Sequence, residues 1–411
     1  MFKRMFVGLL ASLFFSSIVL AQTSFTGKSN GAFYNIAVPV AWNGSLVIWN
    51  HGYSFNPMLE NPPDLGPLAG LQLAEGYAVA SSSYSQSQWA VFKTTQDLQH
   101  LVNVFKEQVG TPASIIVTGA SLGGIVTADA LENANLGNVV GAFSFCGALA
   151  GSRVWDGALD IRLTYDAICE GVPGAAIPGG PTGLPSQFYP FSEEDLGFAL
   201  QACTGIFVPP FLRTSDQQAR LDQLLDSTQL PENFIARDLG FAVFGIADLI
   251  FDRGKLNTRQ GMGNTGVVYD DSSVNADIER VAVNQGAAQR LSDNYKPVGD
   301  VGNVKIVSMH TDKDGLVIVE NEKEYQDVVS AANLTVAIVV EDIPSHCIFN
   351  PAEVTAGWES LRGWLAGLPQ PNAAQIQGTC QIIEGAGLAA GPCRIDPGFV
   401  IPDMDARIKP R

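Results

Sequence analysis

The sequence predicts an α/β fold with a mostly parallel sheet flanked by helices, and three observations carry that expectation. Short runs rich in Val, Ile and aromatic residues alternate with longer segments of helical apolar spacing. A cluster of small residues, "VTGASLGG" (117–124), sits where one β-branched run passes into a helix-like segment. One interval between successive strand-like runs, residues 148–302, far exceeds the ~10 to 15 residues of an ordinary crossover helix, so a large helical cap is expected between two late strands.

The chain opens "MFKRMFVGLLASLFFSSIVLAQTSF", with Lys3 and Arg4 ahead of an apolar stretch and a small-residue site ending at Ala21. Residues 1–21 read as a secretory signal peptide, which makes the mature protein secreted or periplasmic. No later segment offers the ~20 uncharged apolar residues of a membrane span, so no stable membrane insertion is expected after cleavage. The net charge of −17 speaks against nucleic acid as a partner, because phosphate binding needs a basic face. Only 16% of the residues are charged and 46% are hydrophobic, the balance of a folded chain with a large core rather than an acidic disordered one.

All six cysteines lie beyond the signal segment, and an even number in an oxidising compartment predicts disulfides. Cys380 with Cys393 is the favoured pair, since they bracket "QIIEGAGLAAGP", and Cys169 with Cys203 would tie the inserted region. Metal binding is the weaker reading, because the spacings are long and no Cys-x-x-Cys occurs.

Taken in order, "SLVIWN" (45–50) reads as a buried strand running into His51-Gly52, and "YAVASSS" (77–83) as a second. In "FKTTQDLQHLVNVFKEQV" (92–109), Leu98, Leu101, Val102, Phe105 and Val109 share one helical face. "ASIIVTG" (113–119), "VVGAFSFCG" (139–147), "NVKIVSMH" (303–310) and "LTVAIVVE" (334–341) supply further strands. A helix from about Pro351 to Leu365 starts with proline in its first turn. Residues 22–148 and 298–368 are thus assigned to the core and 149–297 to the cap. The cap begins with the Gly/Pro-rich "GVPGAAIPGGPTGLP" and continues with helical spacing in "SEEDLGFALQAC", "SDQQARLDQLLDS", "NFIARDLGFAVFGIADLIF" and "NADIERVAVNQGAAQRL". Residues 369–411 show no strong periodicity and read as a disulfide-held extension.

Gly119-Ala120-Ser121-Leu122-Gly123 is a G-x-S-x-G between strand and helix. Such a turn strains the serine backbone, requires small neighbours, and exposes the hydroxyl at a helix N-terminus whose N–H groups stabilise negative charge. A serine hydroxyl needs a base, and the four histidines can be compared. His51 lies in an upstream loop, His100 sits within a helix, and His310 ends a strand directly before an acidic loop. His346, in "IPSHCIF" between the last strand and the following helix, can reach back across the sheet edge, and it is the candidate base. "MHTDKDGLV" offers Asp312 and Asp314. Asp314 is preferred because it precedes the point where the loop turns back, with Asp312 as an orienting or salt-bridged neighbour.

With "HGY" after an early strand, "GASLGG" at the elbow, "TDKDGLV" and "PSHCIF", in the order Ser121, Asp314, His346, the chain resembles an α/β-hydrolase over about residues 35–368. The resemblance implies an exported serine esterase or lipase-like member that cleaves carboxylic esters through an acyl-enzyme, with no cofactor and no metal. It also implies an oxyanion hole from the backbone amides of Tyr53 and Leu122. Tyr53 replaces the glycine of the HGGG esterases, which disfavours bulky tertiary-alcohol esters. Ser121, being neither Asp nor Cys, argues against dehalogenase, epoxide hydrolase and dienelactone hydrolase chemistry.

Cys347, beside His346, reads equally as a disulfide partner of Cys146 and as a buried thiol. Phe241, Phe244, Phe251 and Trp155 are candidates for an apolar substrate wall, with core packing as the alternative. The alternative activities are a serine peptidase or aminopeptidase on the same scaffold and, as a subtype, an extracellular polyester depolymerase. Glu193, Glu194 and Asp195 look like helix-start charges rather than an anchor for a peptide amine.

Overall fold

The computed structural model describes residues 22–56, 58–184 and 191–411, and the expected signal segment lies outside the described residues. Strands β1 (Gln22–Ser29) and β2 (Ala32–Pro39) form an antiparallel hairpin closed by Asn30 and Gly31, both at positive φ. Two residues at φ > 0 make the type of turn whose twist matches the strands, and Asn-Gly supplies it at low steric cost. The chain continues through β3 (Ser45–Asn50), α1 (Ala69–Ala74), β4 (Ala78–Ser82), α2 (Val91–Gln108), β5 (Ser114–Ala120), α3 (Leu122–Asn133) and β6 (Val139–Phe145).

After β6 come the helices of the long interval, α4 (Val154–Ile168), α5 (Glu193–Thr204), α6 (Ser215–Thr228), α7 (Ile235–Gly240), α8 (Ile246–Phe251), α9 (Ser272–Asp277) and α10 (Gln285–Asp293). The sheet then resumes with β7 (Lys305–Thr311), α11 (Asn321–Val328), β8 (Leu334–Val339), α12 (Pro351–Leu365), α13 (Ala373–Gly385) and β9 (Ile395–Asp396). One nine-stranded sheet results, in the order β1-β2-β4-β3-β5-β6-β7-β8-β9. Strands β3 to β8 run parallel, while the β1–β2 hairpin and β9 are antiparallel additions at the two edges.

The parallel strands are buried on both faces, as their unbroken apolar runs require. Leu46 and Ile48 point into one core with Leu98, Leu101 and Phe105 of α2 and Ile125 of α3. Val47 and Trp49 point into the other, with Trp358 and Leu361 of α12 and Ile376 of α13. The helices between β6 and β7 hold a third cluster of their own around Tyr165, Leu196, Leu200 and Leu239. Cys169 and Cys203, with Cα atoms 5.7 Å apart, form the disulfide that ties α4 to α5.

Two expectations are corrected. "NADIERVAVNQGAAQRL" is not one helix: the amide of Val281 donates to Asn264 Oδ1 (2.7 Å) and its carbonyl accepts from Asn264 N (3.1 Å), which holds the middle extended. Asn284 then caps a new helix by accepting from Ala287 N. Residues 369–411 are not irregular either. Asn372 makes a capping box, Ile376, Cys380 and Ile383 form the buried stripe of α13, and Cys380 is bonded to Cys393. The glycines at 378 and 385 weaken that helical pattern in the sequence without preventing it.

Asp129 of α3 faces α2, and it accepts at 2.8 Å from Thr95 Oγ1 of α2 and from Asn133 Nδ2 of its own helix. Burial pushes its carboxyl up to about 6 from 3.8, those hydrogen bonds offsetting part of the effect. The folded chain thus holds a proton that the unfolded chain has released, so stability present below the unfolded value is lost as pH rises through the folded one. Asp129→Asn is expected to gain stability over the parent between about pH 4 and about pH 7, by roughly 2 kcal/mol at the upper end. Urea unfolding at the two pH values checks this, and an equal difference at both would contradict it.

Candidate active site

Ser121 joins β5 to α3 with φ 56° and ψ −121°, a conformation that non-glycine residues adopt only when their surroundings impose it. The surroundings here are contacts of backbone on backbone. A Cβ on Gly119 would lie 2.1 Å from Gly123 O, and one on Gly123 would lie 1.9 Å from Asn50 O. One on Gly124 would lie 2.4 Å from Gly147 Cα. None of these glycines has positive φ; close approach is what demands them, and the strain sits on the serine.

The structure brings Ser121, His346 and Asp314 together from three separate loops at the carboxyl ends of the strands. The Ser121 hydroxyl lies 2.9 Å from His346 Nε2, and His346 Nδ1 lies 2.6 Å from Asp314 Oδ2. The other carboxylate oxygen of Asp314 accepts from the amides of Leu316 and Val317, each at 3.0 Å, which holds the carboxylate in place. Asp312 points elsewhere and accepts from Glu341 N (2.8 Å), bracing the acid loop against the end of β8.

None of the other three histidines joins this line. His310 is fully buried; it bonds Glu322 Oε1 (3.1 Å) through Nδ1 and donates to the Val317 carbonyl (2.7 Å) through Nε2. Burial opposes its protonation, but Glu322 and Asp314 outweigh that and raise its pKa. His51 stacks on Tyr84, with ring centroids 4.2 Å apart, and Tyr84 donates to the His51 carbonyl, so that the pair fixes the turn carrying Tyr53. His100 is half-buried on α2, distant in the chain from the site loops.

The 51–53 turn lies against Ser121: a Cβ on Gly52 would fall 3.5 Å from Ser121 Cβ and 3.9 Å from its Oγ. Leu122 is the first residue of α3, so its N–H has no intrahelical acceptor, and the residue lines the same cavity as Ser121 and Tyr53. The Tyr53 ring turns toward the interval between β6 and β7, packing on Phe241 with centroids 4.8 Å apart. Phe241 begins a single π-helical turn, Phe241–Gly245, that joins α7 to α8.

Cys146, at the end of β6, is disulfide-bonded to Cys347, beside His346, with Cα atoms 5.6 Å apart. The bridge ties the histidine loop directly to the strand next to the serine elbow. Replacing both cysteines by serine is expected to cost about 3 to 5 kcal/mol of stability, since the bridge closes a 201-residue separation. Thermal unfolding of the double variant checks this, and an unchanged midpoint would contradict it.

A cavity of about 1230 Å³, counted out to its open mouth, reaches from Ser121, Leu122 and Tyr53 into the interval region. Trp155 and Phe241 line it; Phe244 instead packs on Phe191, and Phe251 packs against the main core. The cavity is also lined by residues 404 and 406–409, which the sequence had given no reason to place there. Their only local signal is an apolar pair four residues apart, Met404 and Ile408, in an otherwise polar stretch.

No protein-family model and no curated protein matches the sequence. Among solved structures, Candida antarctica lipase A in its closed state is 13% identical, covering 91% of this chain and 89% of that one, with a TM-score of 0.43. An esterase from Aspergillus oryzae is 12% identical over 85% of this chain and 80% of its own, with a TM-score of 0.46. A rice cell wall degrading esterase from Xanthomonas oryzae is 10% identical over 81% and 83%, with a TM-score of 0.38. The fold is carried by the chain's own strand order, its run of parallel strands, and the strand–serine–helix elbow at the sheet centre. By that architecture, the chain has the α/β-hydrolase fold.

Proposed function

We propose that the protein is an exported serine hydrolase that cleaves carboxylic esters through an acyl-enzyme. The observation that carries the reading is the unbroken hydrogen-bond line from Asp314 Oδ2 through His346 to the Ser121 hydroxyl. Ser121 Oγ attacks the ester carbonyl carbon while His346 Nε2 takes its proton, and Asp314 holds the imidazolium that forms. The amides of Tyr53 and Leu122 receive the negative charge that develops on the carbonyl oxygen. His346 then gives the proton to the departing alcohol, leaving the acyl group on Ser121. A water attacks that acyl group, with Nε2 taking its proton, and the acid leaves as the proton returns to Ser121.

Residues 149–297 serve as the cap over this site, a reading supported by the cavity walls that Trp155 and Phe241 provide. Three disulfides support maturation in an oxidising compartment after removal of residues 1–21. Among the described residues, no helix is long and apolar enough to cross a membrane. The ester reading is favoured over the aminopeptidase one by the state of the cavity's acids. Asp160 is paired with Arg411 and Asp270 with Lys409, while burial holds the Asp238 carboxyl well above the usual range. A substrate ammonium group would find Asp160 and Asp270 already paired and would have to ionise the buried Asp238.

Diethyl p-nitrophenyl phosphate is expected to phosphorylate Ser121 in a 1:1 ratio and abolish hydrolysis of p-nitrophenyl butyrate. Peptide mass spectrometry reads the site of attachment. A label on another residue, or faster turnover of aminoacyl p-nitroanilides than of esters, would overturn the proposal.

A further inference from the structure

After β9 the chain meets Ile318 and Glu320, beyond the 311–317 loop, and runs along α4 past Val154, Gly157 and Asp160. Met404 is fully buried and Ile408 nearly so, both packed with Ala150, Ile318 and Val154. The fit to α4 is close: a Cβ on Gly157 would lie 2.7 Å from Ile408 Cδ1. Basic and acidic groups on either side fasten this segment. Arg153 pairs with Glu324 (2.7 Å) and with Asp405, and donates to the Ile408 carbonyl (2.7 Å). Arg411 pairs with Asp160 (2.7 Å) and Asp156 (3.3 Å), and Lys409 with Asp270 (2.9 Å).

These attachments present Met404, Ala406, Arg407, Ile408 and Lys409 to the cavity that contains Ser121. Arg407 reaches inward, its guanidinium 3.9 Å from Glu320 and its Nη2 buried without a hydrogen-bond partner. The segment therefore does more than cover a hydrophobic patch. It forms a wall of the space in which a substrate chain bound at Ser121 must lie, with apolar side chains from Met404 and Ile408 and a charged group between them.

We propose that residues 403–411 form the specificity wall of this cavity and set the length of apolar chain that an ester substrate can carry. The inference rests on the reading of Ser121 as the nucleophile. A hydrophobic wall discriminates by the methylenes it accommodates, so enlarging or filling it changes the ratio of rates for long and short chains. A strut that only stabilised the fold would change the rates for all chain lengths together.

The test measures kcat/KM for p-nitrophenyl esters of butyrate to laurate, and for butyrate esters of ethanol to octanol, with Ile408→Ala, Ile408→Val and Ile408→Phe. The decanoate-to-butyrate ratio, or its counterpart in the alcohol series, is expected to rise about 5-fold or more in the alanine variant and to fall by a similar factor in the phenylalanine variant. The series that responds identifies which side of the ester faces the wall. The valine variant removes a single carbon and is expected to shift the ratio in the alanine direction, which keeps the test open should either larger change prevent folding. Unchanged ratios in both series, in variants that unfold cooperatively and retain activity, would overturn the proposal. Absence of ester hydrolysis by the parent protein would instead strike the ester reading itself, so the two failures are distinct.

Discussion

Ser121→Ala is expected to lower kcat for p-nitrophenyl butyrate by about 10⁴-fold or more, with the thermal unfolding midpoint close to that of the parent. The Ser121 hydroxyl is hydrogen-bonded to His346 (2.9 Å), and its removal takes away the atom proposed to form the acyl bond. The elbow itself is held by neighbouring backbone, through Gly119 against Gly123 and Gly123 against Asn50, and alanine leaves those contacts in place. Alanine also tolerates φ 56° about as poorly as serine, so the substitution neither relieves nor adds much strain. Any residual rate would come from binding and from the amides of Tyr53 and Leu122, which remain. Initial rates beside a circular-dichroism melt decide the matter: activity within tenfold of the parent would remove Ser121 from the mechanism.

Asp314→Asn is expected to lower kcat by about 10³ to 10⁴-fold with little change in KM. Asp314 uses its two oxygens differently, Oδ1 accepting from two backbone amides and Oδ2 accepting from His346 Nδ1–H. In the asparagine variant the amide oxygen stays with the backbone N–H groups, since an NH₂ there would face two donors. The amide nitrogen then faces Nδ1 and requires it to be an acceptor, which places the imidazole proton on Nε2, facing the serine. A ring in that tautomer cannot take the Ser121 proton. Asp312→Asn is the matched control, because Asp312 accepts from Glu341 N, away from His346, and its loss is expected to cost less than about tenfold. Comparable losses in the two variants would contradict the separate roles. The pH profile adds a second check, since a ring locked in the wrong tautomer lowers the plateau rate rather than moving the acid limb alone.

The α/β architecture was legible because each parallel strand is buried on both faces and so appears as a continuous apolar run. The face of α2 that carries Leu98, Leu101, Val102 and Phe105 was legible for the corresponding reason, a one-sided helical period. The elbow was legible because contacts of 1.9 to 2.4 Å to a would-be Cβ leave glycine as the residue that fits, and that need is written into the chain. Local conflict hid other parts. The β1–β2 hairpin had its Asn-Gly signal, but the alternation around it is weak, with β1 largely exposed. The helical stripe of α13 is diluted by glycine, and the apparent helix at 275–291 gives way where Asn264 offers Val281 better hydrogen bonds. Of the aromatic candidates, Trp155 and Phe241 reach the cavity and Phe244 and Phe251 do not, a distinction that helical spacing alone does not carry.

By itself, the sequence determined the parallel strands of the core, their order, and the candidate residues Ser121, Asp314 and His346, each of which follows a parallel strand. Local patterns suffice for this because strand burial, helix periodicity and the sterics of a tight turn act between residues close in the chain. Tertiary structure decided the rest. Cys146 pairs with Cys347 because folding brings their Cα atoms to 5.6 Å, and Ile408 meets Gly157 because the segment after β9 returns across the molecule. Such contacts depend on separation in space between residues more than two hundred positions apart, and neither composition nor period encodes that distance.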